Sequence, residues 1–248
     1  MRHNLNYIKQ TGMPRFRGFN LLQKFRYDNG GKAVVFERPN MPFEEEDFAL
    51  IRELGFDFAR LPLDYLCWSD QDNWKRIDEA TMQDLDQAVE FGRQYGVHVC
   101  INFHRAPGYC INPPAEKRNV FKDPEALEAF CYHWAAFARR YKGVPGSRLS
   151  FNLINEPHNT NRPDFMTRAD FLRVMNGECG CLNKTPHDVV LAWFEDLLKI
   201  LTTHNIGYAL WNFKGPFGIL NSNRADVKYE DFHGHNLDRK LLELLRRY

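Results

Sequence analysis

Short apolar runs alternate with amphipathic stretches along the whole chain. Five runs read as strands: RFRGFN (15–20), FDFARLPL (56–63), VHVCINFH (97–104), LSFNLINE (149–156) and IGYALWNF (206–213). A weaker sixth, RVMNGE, spans 173–178. The runs are nearly continuous in apolar residues rather than alternating, as in strands covered on both faces. Between them lie helices with legible ends. Thr81 with Asp84 reads as an N-cap with an acidic third position, ahead of Leu85, Ala88 and Val89, and Gly96 follows the end. Asp123-Pro124 opens a second helix that buries Leu127, Phe130, Trp134 and Phe137 before Gly143. Pro42 leads into another through Phe48, Ile51 and Leu54 to Gly55, and Thr185-Pro186 opens one with Val190, Trp193, Phe194 and Leu197. Strands alternating with helices of this length predict a parallel sheet built from βα units.

An open doubly wound sheet and a closed barrel both satisfy that pattern. Neither G-x-G-x-x-G after the first strand nor a phosphate-binding G-x-x-x-x-G-K-[ST] is present, which weakens the nucleotide-binding open sheet. Polar residues decide between the two. Arg60, His104, Asn155-Glu156 and Trp211-Asn212 fall at or beside the carboxyl ends of their strands, and Glu178 does so if the weak strand forms. In a (β/α)8 barrel those ends converge on one face, where an active site is assembled. The pattern therefore predicts a TIM-type barrel occupying 1–248 as a single domain.

Composition narrows the function. Of the 248 residues, 44% are hydrophobic and 26% charged, and the net charge is +1. With no basic excess or stripe, nucleic acid is not an expected partner. No run approaches the apolar length of a membrane span, so no membrane is expected. The first residues, MRHNLNYIKQTGMPRFRG, lack the continuous apolar core of a signal peptide; as written the chain reads as cytoplasmic, or as secreted if a leader has been removed. The six cysteines are scattered and read as reduced thiols. Cys179-x-Cys181 lacks a second ligand pair at zinc spacing, so neither metal nor cofactor is expected.

Two carboxylates remain, Glu156 in Asn-Glu-Pro and Glu178 in Gly-Glu-Cys-Gly. Alone, the first could be a capped strand end and the second a loop carboxylate. Together in a neutral, aromatic-lined cleft they are the equipment of glycoside hydrolysis, one protonating the leaving oxygen while the other attacks the sugar or activates water. With RGFNL (17–21), RLPLDY (60–65), NFHRAPG (102–108), NEPH (155–158), GECG (177–180) and ALWNF (209–213) in this order, the sequence resembles glycoside hydrolase family 5, the cellulase-type retaining β-glycosidases. The resemblance implies Glu156 as acid/base and Glu178 as nucleophile. It implies that Arg60 hydrogen-bonds the nucleophile, Asn155 the sugar 2-hydroxyl, that His104 lines the −1 subsite and that Trp211 lies under its sugar. Trp68, Trp74 and Tyr109, in loops on the expected active face, are further candidate platforms, whereas Trp134 and Trp193 read as helix core. The implied activity is that of an endo-β-1,4-glucanase acting by double displacement on a β-glucan, with mannan and xyloglucan open.

The chain departs from that family in one respect. Only 178 − 156 = 22 residues separate the carboxylates, where the family resembles a barrel with three further crossings between its fourth and seventh strands. Each crossing takes at least about 10–12 residues. The stretch has room for a loop, a short helix capped by Thr167 with Asp170, and the run into Gly177. The expectation is an incomplete barrel of five or six strands lacking about two βα units, the fifth and sixth. Two consequences follow. The exposed strand edges predict a homodimer in which each copy covers the other's breach. The histidine and tyrosine that the family's sixth strand contributes are absent, with His158 and His187 the nearest histidines in sequence. A catalytically impaired barrel that binds glycans or serves in assembly is the alternative; a phosphate-binding isomerase, with KGPFG (214–218) as its anion loop, is another.

Overall fold

The computed structural model describes residues 15–25, 40–156, 176–203 and 206–248, with the backbone alone at 176–178. The helix expected at Thr167, His158 and the side chain of Glu178 lie outside the described residues. The elements run β1 (Arg17–Asn20), α1 (Glu45–Glu53), β2 (Phe58–Asp64), α2 (Glu79–Tyr95), β3 (His98–Ala106), β4 (Tyr109–Cys110), α3 (Pro124–Arg140), β5 (Leu149–Asn152), β6 (Asn176–Cys179), α4 (His187–Thr203), β7 (Tyr208–Leu210), β8 (Glu230–Phe232), β9 (His235–Leu237) and α5 (Arg239–Arg247).

Parallel pairing orders the main strands β5-β3-β2-β1-β7-β6. The first strand pairs with β7, as the closing pair of a barrel does. At the other side the curl stops. Among the described residues β5 pairs with β3 alone and β6 with β7 alone. The described residues form an incomplete TIM-type barrel with six parallel strands. Short β4 folds back antiparallel on β3, and β8 and β9 form a separate hairpin that the apolar pattern did not foreshadow.

Every residue of β2 and β3 is buried, as their apolar runs predict, whereas β5 leaves Phe151 exposed. Gly18 shows how tightly they pack. A Cβ there would lie 1.7 Å from the Phe58 carbonyl oxygen across the β1–β2 pair, so only glycine fits. Between sheet and helices Phe103 stacks on Trp134 with ring centroids 3.9 Å apart and meets Phe137 edge-on. Helix α5 brings Leu241, Leu242, Leu244 and Leu245 into the same core. No described helix is long and apolar enough to cross a membrane.

Several expectations need correction. Helix α2 is capped by Asp78, not Thr81: the Asp78 carboxylate accepts from the Thr81 backbone N–H at 2.9 Å and from its hydroxyl at 2.7 Å, so Thr81 is the third helical residue. The run 149–156 is strand only to Asn152, because Asn155 N–H turns in to donate to the Phe103 carbonyl at 3.1 Å. Leu127 and Trp193 are exposed rather than core. Arg140 on α3 pairs with Glu79 and Asp86 of α2, which places Leu127 on the opposite flank. Glu195 on α4 accepts from the Tyr248 hydroxyl beside α5, and Trp193 turns away from that side too.

Candidate active site

The carboxyl ends of the strands bring the polar residues together. Arg60 is buried, and its guanidinium donates to the side-chain oxygens of four asparagines, each on a neighbouring strand or its end: Asn20 at 2.8 Å, Asn102 at 2.7 Å, Asn152 at 3.0 Å and Asn155 at 2.8 Å. These residues share one face because the register sets Asn20 against Arg60 and Asn102 against Asn152. The collar holds the cation under Asn155 through charge-assisted bonds.

His104 stands on the same interior side of β3. The β2–β3 register passes from Leu63↔Phe103 to Asp64↔Arg105, so His104 is the extra residue of a bulge. Bulges re-aim side chains at sites of this kind. The amides of Asn112 and Asn155 face its Nε2 at 3.0 Å and 3.4 Å. Burial, with the nearby charges of Arg60 and Arg105, holds its pKa well below the ordinary histidine range, so the ring is neutral. A second irregularity, between Asn176 and Cys179 against β7, places an extra residue in β6 beside Glu178. The Trp211 backbone N–H donates to the Cys179 carbonyl at 2.7 Å and ties the ends of β6 and β7 together.

Above this layer opens a cavity of about 470 Å³ lined by His104, Asn155, Glu156 and Trp211, together with Phe25, Ile111, Asn112, Cys179, Gly180 and Phe217. Four of the residues expected from sequence thus share one cleft, and Arg60 lies directly beneath it. Phe25 meets the rings of His104 and Trp211 edge-on at 4.8 Å and 5.2 Å, which fixes both. Glu156 is exposed at the rim with φ +40°, and Tyr109 donates its hydroxyl to the Glu156 carbonyl at 2.5 Å.

Trp68 is not part of the site. It is 1% exposed, its indole N–H donates to His133 Nδ1 at 3.0 Å, and its ring packs on Phe103 and Phe137, so no sugar can reach it. Trp74 is half-buried against Tyr132, with the Lys75 ammonium 4.8 Å over its ring. Phe25, Ile111, Asn112 and Phe217 escaped the sequence reading, since none stands at a strand end and only the loop paths carry them inward. Among the described residues no three His, Cys, Asp or Glu side chains converge as metal ligands would.

An incomplete parallel barrel with an amide-rich, aromatic cleft at its carboxyl face defines a class: a TIM-type barrel with a pocket where such barrels place their active sites. The particular family follows from comparison. The cellulase model of glycosyl hydrolase family 5 matches residues 27–172, and the chain belongs to that family. It is similar to Endoglucanase C of Acetivibrio thermocellus, 31% identical over 112 residues, which is 45% of this chain and 32% of that protein. It is also similar to Cellodextrinase A of Ruminococcus flavefaciens, 32% identical over 120 residues, 48% of this chain and 35% of that one. The chain thus spans about a third of the length of these curated relatives. A solved glycoside hydrolase superposes with a TM-score of 0.80 at 29% identity, covering 94% of this chain and 99% of that one.

Proposed function

We propose that this chain is a retaining β-glycoside hydrolase of the endo-β-1,4-glucanase type, with Glu156 as acid/base and Glu178 as nucleophile. The observation that carries the reading is the convergence of Glu156, Asn155, His104 and Trp211 on one cleft. Similarity to proteins named an endoglucanase and a cellodextrinase favours a glucan. In the first step Glu178 attacks the anomeric carbon while the Glu156 carboxyl gives its proton to the departing oxygen. In the second, Glu156 takes a proton from water, which displaces Glu178 and restores the original configuration. Asn155, held by Arg60, offers its amide to the sugar 2-hydroxyl. Neutral His104 and the face of Trp211 bound the sugar, and the family resemblance gives Arg60 the role of hydrogen-bonding the nucleophile.

Reducing-sugar release from carboxymethylcellulose, mixed-linkage β-glucan, mannan and xyloglucan tests this. Glu156→Gln and Glu178→Gln should each lose at least about 10²-fold in rate, while oligosaccharide binding persists. Unchanged hydrolysis in both variants sinks the assignment. The missing fifth and sixth units favour a second reading, a barrel that binds glycans without cleaving them; a wild type that binds cello-oligosaccharides and releases no reducing ends would establish it.

The functional unit in this proposal is a homodimer. Among the described residues β5 and β6 each pair on one side only. Leu127, Phe151 and Leu153, on α3 and on or just after β5, are exposed, as are Val189, Trp193 and Ile200 on α4. A second copy supplies both an apolar flank and a strand edge to cover them, and so completes a wall that one chain leaves open.

A further inference from the structure

Tyr109 reads from sequence as a sugar platform, yet its polar end is what the fold has placed. The Glu156 backbone has φ +40°, in the left-handed region that a residue bearing a Cβ avoids. Glu156 also precedes Pro157 in sequence, and a following proline pushes its predecessor toward extended backbone. A residue so placed stays there only when its surroundings hold it. The Tyr109 hydroxyl is such a hold, donating to the Glu156 carbonyl at 2.5 Å, the short end for an O–H···O bond.

Tyr109 is itself mounted rigidly. Ala106 and Tyr109 pair across the β3–β4 turn, and Gly108 at its tip has φ +76°, with Val120 so close that an added Cβ would lie 2.7 Å from its nitrogen. The loop that follows is pinned by Arg105. This buried side chain reaches the carbonyls of Pro114 at 2.9 Å and Asn112 at 3.2 Å, and pairs with Glu116 at 2.6 Å and Asp64 at 3.2 Å. Glu116 in turn accepts from the Tyr65 hydroxyl at 2.9 Å. The ring of Tyr109 is meanwhile engaged edge-on by Phe121.

We propose that Tyr109 is a positioning residue: its hydroxyl fixes the backbone from which the Glu156 carboxyl is presented to the departing oxygen. The inference rests on the reading of Glu156 as acid/base. Losing the hydroxyl frees residue 156 to relax, and a displacement of about 1 Å can cost on the order of 10²-fold in a proton transfer. The loss should fall only on steps that need the acid or base.

That selectivity is the test. Tyr109→Phe keeps the ring and removes the bond. Its kcat/KM on cellotetraose, whose leaving group is an alcohol, should fall about 10- to 100-fold. Its kcat/KM on 2,4-dinitrophenyl β-cellobioside, whose phenolate leaves without a proton, should stay within about threefold of wild type. Its kcat on that activated substrate should fall and recover with azide, a nucleophile that needs no base. Preserved kcat/KM on the activated substrate also certifies the fold. Wild-type behaviour of Tyr109→Phe, with a raised KM in Tyr109→Ala, would make the residue a sugar platform instead. Equal losses on both substrates would make the bond merely structural. A wild type idle on both substrates would fail as an enzyme, and the proposal would go with it.

Discussion

Trp68 and Tyr109 are both aromatic residues beside strand ends, and their surroundings separate them completely. Trp68 is sealed in the core with its indole N–H on His133 Nδ1, a bond that needs that nitrogen bare. Burial holds the His133 pKa down at about 4. Between about pH 6.5 and 4 the unfolded chain binds a proton that the native site refuses, so this contribution is full above about pH 6.5 and fades as pH falls toward 4. The slope is at most about 1.4 kcal/mol per pH unit for one proton. Buried His98 and His104, also pushed down by burial, act in the same direction. Denaturant melts across that range should show falling stability. His133→Gln, whose amide oxygen can still accept from Trp68, should flatten the slope by up to one proton; identical slopes would remove His133 from the account. Among residues, a place at or near the carboxyl end of a strand was legible for His104, Asn155, Glu156 and Trp211, whereas Arg60 is the third residue of β2. The partners were not: the four asparagines around Arg60 lie 40 to 95 residues away from it.

At the scale of elements, the punctuation read from the chain proved local and mostly sound. Asp123 caps α3 as Asp-Pro foretold, accepting from the Glu125 N–H at 2.9 Å, and Gly96 ends α2 with φ +67°. Asp123→Ala should cost about 1 kcal/mol by chemical denaturation. The start of α2 was misplaced by three residues because Asp78 and Thr81 both suit a cap, and only the carboxylate reaches the free N–H. Strand pairing sets harsher terms. Gly18→Ala drives a methyl into the Phe58 carbonyl, so β1 must leave β2. That variant should lose at least about 3 kcal/mol or fail to fold; wild-type melting would show that the strands can part without cost. The hairpin β8–β9 gave no signal, since two three-residue strands are too short for a period to register.

At the scale of the whole molecule, the two strand edges border the site as well as the helices around it. The cleft takes residues from the ends of β3, β5, β6 and β7, and among the described residues β5 and β6 each pair on one side only. Exposed apolar residues also stand on α3 and α4. Sedimentation equilibrium at micromolar concentration should return a dimer, and Trp193→Glu with Ile200→Glu should shift it to monomer while leaving the far-UV spectrum unchanged. A monomeric wild type would overturn the homodimer.

By itself the sequence determined the alternation of strands and helices, the burial of the central strands and the end of the sheet at which polar residues gather. Each of these is written in the period and punctuation of a single segment. Tertiary structure decided that the indole at 68 is core, that the phenol at 109 reaches the carbonyl of Glu156, and that asparagines ring Arg60. Those outcomes depend on register between strands and on where anchored loops come to rest, which no local pattern encodes.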